Sequence, residues 1–137
     1  MPTDKLKINA NLDPRPKAIF GISGSLDFYR LAYFLGKAFN KSLEKGVLDD
    51  ANENFEISFY KTCIDGKNNV YFIENKQGEG LLLNKVKIAD YLLIVTGDEI
   101  NTIVKTVKLQ LQAVGAVQSV FAIDDKFTSK TKLKYFD

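Results

Sequence analysis

Two short runs of the chain are apolar without alternation, Ala18 to Ile22 and Tyr91 to Val95. A strand wetted on one side alternates between apolar and polar residues, whereas one covered on both sides does not. The two runs therefore predict strands lying side by side at the centre of a sheet. Each leads through a short turn into a helical pattern. After Ser23-Gly24-Ser25, the residues Phe28, Leu31, Ala32, Leu35, Phe39 and Leu43 recur at three- and four-residue spacing, with Lys37, Asn40, Lys41, Glu44 and Lys45 largely opposite. This predicts a helix from about Leu26, capped by Ser25 or Asp27 and stopped at Gly46. After Thr96-Gly97-Asp98, the stripe Ile100, Ile103, Val104, Val107, Leu111 and Val114 predicts a second helix that ends at Gly115.

Between the halves, Asp49 to Asn54 reads as a polar loop. Phe55 to Tyr60 alternates, with Phe55, Ile57 and Phe59 towards the core and Glu56, Ser58 and Tyr60 on a wetter side. Asp65-Gly66 is hairpin turn chemistry, Val70 to Ile73 is the return strand, and Leu81 to Leu83 adds edge pairing after the turn at Gln77 to Gly80. Val117 to Ile123 closes as a last strand. The order β-α-β-β-β-α-β predicts an α+β, ferredoxin-like sandwich with an inserted hairpin strand, a mostly antiparallel sheet and both helices on one face. Residues 1–16, with Pro14 and Pro16, read as an extended basic arm, 17–124 as a single domain and 125–137 as a basic tail. In this topology the first strand begins where the last one ends, so arm and tail are expected to converge.

Composition narrows the chemistry. The 137 residues are 45% hydrophobic and 26% charged, enough for one packed domain. There is no histidine, which removes Ser-His and Cys-His nucleophilic mechanisms and most zinc sites. No metal or cofactor is expected. The single Cys63 has no partner for an internal disulfide, Met1 to Arg15 lack a signal-peptide core, and no window nears the ~20 apolar residues of a membrane helix. The expectation is a cytoplasmic protein with no membrane association.

Charge and residue pattern leave three candidate surfaces. The net charge of +2 hides basic ends, with Lys5 and Lys7 in the arm and Lys126, Lys130, Lys132 and Lys134 in the tail. These could meet a phosphate-rich partner, although so small a net charge favours solvated ends over a nucleic-acid binder. The turns Ser23-Gly24-Ser25 and Gly97-Asp98 stand where strands meet helices and could hold an anion on backbone N–H groups. They lack a P-loop lysine and the third glycine of a dinucleotide fingerprint, so helix capping is the simpler reading. The sheet face away from the helices must be covered by the hairpin, a terminal segment or a second subunit. Tyr60 and Tyr71 are candidate rim residues there, while Tyr29, Tyr33 and Phe34 give the first helix more aromatic surface than one core needs.

The stretch from Phe20 to Lys37 resembles the strand and following helix of a Bacteroidetes-type bacterial family named for its IPExxxVDY signature. Leu83 to Tyr91 aligns with that signature and shares Asp90 and Tyr91, with Leu83, Asn84, Lys85 and Ala89 in place of the family's residues. The likeness spans about residues 17 to 124. The family is of uncharacterised function, so the resemblance implies no activity and no catalytic residue. The functional expectation is a module that acts by association, as a homodimer or with a protein partner, without catalysis. The alternatives are a sensor or enzyme for a small anionic ligand built on the two turns, and nucleic-acid or ribonucleoprotein binding through the basic termini.

Overall fold

The two uniformly apolar runs pair with each other. In the computed structural model, which describes residues 4–6, 17–50, 55–64, 66–77, 80–81, 89–97 and 100–123, β2 (Lys17–Gly24) runs antiparallel to β8 (Tyr91–Thr96), with Ala18 opposite Val95, Phe20 opposite Leu93 and Ile22 opposite Tyr91. Every residue of β8 is buried, as expected of a strand covered on both sides. The remaining elements are β1 (Asp4–Leu6), α1 (Phe28–Phe39), β3 (Glu44–Asp50), β4 (Phe55–Ile64), β5 (Asn68–Glu74), the two-stranded ribbon β6 (Lys76–Gln77) and β7 (Gly80–Leu81), α2 (Ile100–Gln112) and β9 (Val117–Ile123).

The chain is α+β. Its main sheet has the order β1-β3-β4-β5-β8-β2-β9, antiparallel throughout except for β1, which lies parallel to β3 at the edge. Alternate side chains of the central strands divide between two cores. Phe20, Ile22, Val70, Phe72, Leu93 and Val95 pack with Leu31 and Leu35 of α1 and Ile103, Val107 and Leu111 of α2. Ile19, Ile57, Phe59, Tyr71, Leu92 and Ile94 belong to the second cluster, whose described members include no residue of α1 or α2. The second cluster is nonetheless closed, with Tyr71 1% and Ile94 0% exposed in the single chain. No second subunit is needed to bury it. Among the described residues no helix is long and apolar enough to cross a membrane.

Three departures from the sequence pattern have local causes. First, α1 stops at Phe39 rather than Gly46. Asn40 adopts the left-handed conformation (φ 56°, ψ 42°) and its N–H turns back towards the Gly36 and Lys37 carbonyls, while Lys41 N donates to Gly36 O at 2.8 Å. Asparagine tolerates this conformation better than most residues. Leu43 continues the helical spacing by coincidence, and Glu44 to Asp50 then form β3 rather than a helix end and a loop, pairing with β4 along its whole length. Second, Leu81 pairs with Lys76 in the separate ribbon and not with the main sheet. Third, the arm does not stay beside the tail's point of departure. Ile19 does stand opposite Ile123, but Lys5 pairs with Val47 in β1, at the edge opposite β9. Six strand spacings, about 29 Å, separate those edges. Lys5 thus stands at the edge opposite the one where β9 ends; Lys7, Lys126, Lys130, Lys132 and Lys134, on which the expected convergence of basic ends also depends, lie outside the described residues.

Gly36 gives a test in which propensity and geometry disagree. In a helix interior, alanine is ordinarily favoured over glycine by about 1 kcal/mol. Here a Cβ would stand 2.6 Å from Lys41 O, a backbone atom of the chain that has just left the helix. Gly36→Ala is expected to destabilise by about 1–3 kcal/mol, read as a lower urea midpoint at unchanged slope. A gain in stability would contradict the placement of the connector.

Candidate partner-binding groove

The two strand-to-helix turns do not come together. Because β2 and β8 are antiparallel, Ser23-Gly24-Ser25 leaves the sheet beside Tyr91, whereas Gly97 leaves it at the other end, after Thr96 has faced Lys17. The length of β2 lies between them, roughly 23–26 Å. The first turn also spends its polar groups on the chain itself. Gly24 N donates to Asp90 Oδ2 at 3.2 Å, the Ser23 and Ser119 hydroxyls bond each other at 2.5 Å, and Asp90 N donates to Ile22 O at 3.0 Å. A carboxylate thus occupies the place an anionic ligand would need. The helix cap is Asp27, whose Oδ1 accepts from Arg30 N at 3.3 Å; Ser25 is exposed beside it. Gly97 has φ +145°, and a Cβ there would collide with the buried Asn68 side chain. Asp98 lies outside the described residues.

The tyrosines separate into core and surface. Tyr71, expected at a rim, is a core residue. It lies in β5 between β4 and β8, 1% exposed, with its ring edge-on to Phe59 at 5.4 Å and the Lys61 ammonium 5.5 Å from its centre. Alternation puts it on the face without helices, and that face is closed. Tyr60 is half-buried and packs edge-on to Phe28 at 4.9 Å; burial pushes its phenol above the ordinary value. Tyr29, Tyr33 and Phe34 remain outside, 59%, 60% and 42% exposed.

Tyr29, Tyr33 and Tyr60 line one open groove of about 590 Å³ between the outer flank of α1, the connector Asn40 to Leu43, and β4. Ala32 and Gly36 contribute the small residues between these walls, and Phe34 stands beside the groove with its ring 5.6 Å from that of Tyr33. The charged lining residues among those described are Lys37 and Lys41. Lys37 Nζ lies 4.8 Å from the Tyr33 ring centre, and the Arg30 guanidinium 5.9 Å from that of Tyr29, to whose hydroxyl Arg30 Nε donates at 3.3 Å. Such cation–ring contacts add roughly 0.5–1 kcal/mol at exposed sites and hold the rings in place. Sequence pattern thus finds Tyr29 and Tyr33 as surplus aromatic surface of the helix. It puts Tyr60 at the rim of the face away from the helices, whereas Tyr60 packs on the helix side. It misses the lysines, which read as an ordinary solvated helix face. The available signal was the repeat of four, Tyr29, Tyr33, Lys37, which sets aromatic and cationic side chains on one flank.

Comparison with protein-family models gives no match for the chain, and comparison with curated proteins gives none either. The reading of the groove rests on its geometry.

Tyr91 ties the Gly24 turn to the sheet, since its hydroxyl donates to Leu26 O at 2.5 Å. Burial pushes its phenol above the ordinary value, and the carboxylates of Glu74, Asp90 and Asp27 push it further the same way. The unfolded chain therefore ionises first as pH rises. The stability this group confers is complete below about pH 10 and is lost as pH climbs through the folded-state value. Tyr91→Phe is expected to cost about 1 kcal/mol at neutral pH and to flatten the alkaline loss. Urea midpoints across the alkaline range check both; an unchanged alkaline loss would remove Tyr91 as its source.

Proposed function

We propose that this chain is a non-catalytic association module whose working surface is the outer flank of α1. The carrying observation is that Tyr29, Tyr33 and Phe34 stand largely exposed on that flank while both clusters at the sheet are closed. Exposed aromatic side chains grouped on one helix face add nothing to a core, and such grouping marks interaction sites. The competing reading, an anion pocket for a sensor or enzyme on the two turns, loses support from their separation and from Asp90 on Gly24 N. Nucleic-acid binding by the basic ends has little support in a net charge of only +2.

The fold reading behind this proposal takes β9-β2-β8-β5 with α1 and α2 as a ferredoxin-like unit, with both helices over one face and β4, β3 and β1 extending one edge. The shared cluster of α1, α2 and alternate sheet residues supports it. The resemblance to the IPExxxVDY family belongs to the same proposal. Asp90 and Tyr91, the pair shared with the signature, hold the Gly24 to Leu26 turn here, which suits a structural duty. A cytoplasmic site of action fits the single cysteine.

Photo-crosslinking in the source cells tests the surface. Benzoylphenylalanine placed at Tyr33 is expected to give one discrete adduct, identifiable by mass spectrometry as a partner or as a second copy. The same group at Leu109, 67% exposed on α2, is expected to give none. Equal labelling at both positions, or none at Tyr33, would overturn the reading.

A further inference from the structure

Resting on that reading of the α1 flank, we infer that the groove takes an extended acidic segment of a partner protein. Its carboxylates meet Lys37 and Lys41, and an apolar side chain lies over Ala32 and Gly36 between Tyr33 and Tyr60.

Charge is the first support. Among the described residues no Asp or Glu lines the groove, although the charge excess of the chain lies at its ends and the body is mildly acidic. Arg30 extends the basic side at the rim, 3.8 Å from Asp27. Lys37 stands in the last turn of α1, where a cation commonly answers the helix carbonyls. Three of those carbonyls are already answered: Gly36 O accepts from Lys41 N, Lys37 O from Asn40 N, and Ala38 O from Gln110 Nε2 at 3.3 Å. The ammonium groups are thus not taken up by the helix end, and Lys37 Nζ, resting over the Tyr33 ring, keeps its capacity to meet a carboxylate. Neither has a carboxylate partner among the described residues.

Shape is the second. Sites for small molecules bury about 70–90% of their ligand. Walls formed by side chains as exposed as Tyr29 and Tyr33 cover one side only, which suits an extended chain laid across the flank. Asn40 and Ser42, both exposed at the groove's end, supply side-chain groups able to bond a passing backbone. Stacked bases fit less well, because a cation already lies over the Tyr29 ring and another over the Tyr33 ring. With the cations held on the rings, carboxylates and apolar side chains are the complementary groups.

Panning a random-peptide display library on the full chain tests this. Selected peptides are expected to be enriched in Asp and Glu around an apolar position. When resynthesised with a fluorescent label, they should weaken about tenfold or more between low and roughly 0.5 M salt. A Lys37→Glu, Lys41→Glu variant should lose them by about tenfold or more and select basic peptides instead. Its urea midpoint should stay within the range of a surface change, about 0.5 kcal/mol, which separates lost binding from lost folding. Peptides without acidic enrichment that are lost on Tyr33→Ala would overturn the acidic partner and leave the α1 surface standing. No selected peptides, or peptides indifferent to Tyr33→Ala and to the lysine changes, would overturn both. Displacement of an acidic peptide by labelled single-stranded oligothymidine with tighter binding would overturn the peptide in favour of nucleic acid.

Discussion

In the pairing of β2 with β8, the residues from Lys17 to Ile22 face those from Thr96 back to Tyr91, and side chains are buried above and below both strands. That double burial is the constraint the rest of the structure depends on. Apolar side chains on two faces need two covers, at roughly 1.5–3 kcal/mol for each large apolar side chain removed from water. One face is covered by α1 and α2. The other is closed without them. The antiparallel sense also decides where the turns go, because each strand ends where its partner begins. Two similar strand-turn-helix units thereby leave opposite ends of the sheet, so Ser23-Gly24-Ser25 and Gly97 do not meet.

With both sheet faces closed, the exposed aromatic side chains among the described residues fall on the side of α1 that turns away from the core. Leu31, Leu35 and Phe39 point inward, and Tyr29 and Tyr33, offset from them on the same twelve-residue helix, necessarily point elsewhere. The left-handed residue Asn40 then returns the chain along the helix flank, which makes the second wall of the groove and brings Lys41 to Lys37. A helix that ran on to Gly46 would have had no such wall. The clamp of Asp90 and Tyr91 on the other end of α1 fixes the start of the helix against the sheet. Both ends of the aromatic flank are therefore anchored, and an anchored surface loses less entropy on binding than a mobile one.

The central strands, the two helices and β9 were legible because apolar run length and helical spacing are local signals. The connector and β3 were not. Leu43 extends the helical rhythm past the true end, Val47-Leu48 is too short a run to announce a strand, and the left-handed turn at Asn40 is one residue's conformation. The place of β1 depends on pairing with β3, a long-range choice the arm's own residues do not signal. Among candidate sites, Tyr29 and Tyr33 were legible as surplus to a core. Tyr71 was not, since alternation assigns a face but does not say whether that face is closed.

Native-state modification of tyrosine tests most directly the claim that the sheet is closed and the α1 flank open. After mild nitration of the folded chain, peptide mass spectrometry should find Tyr29 and Tyr33 modified, with Tyr71 and Tyr91 protected until denaturant is added. Modification of Tyr71 as fast as Tyr33 would show that the second face of the sheet is open and would contradict the account.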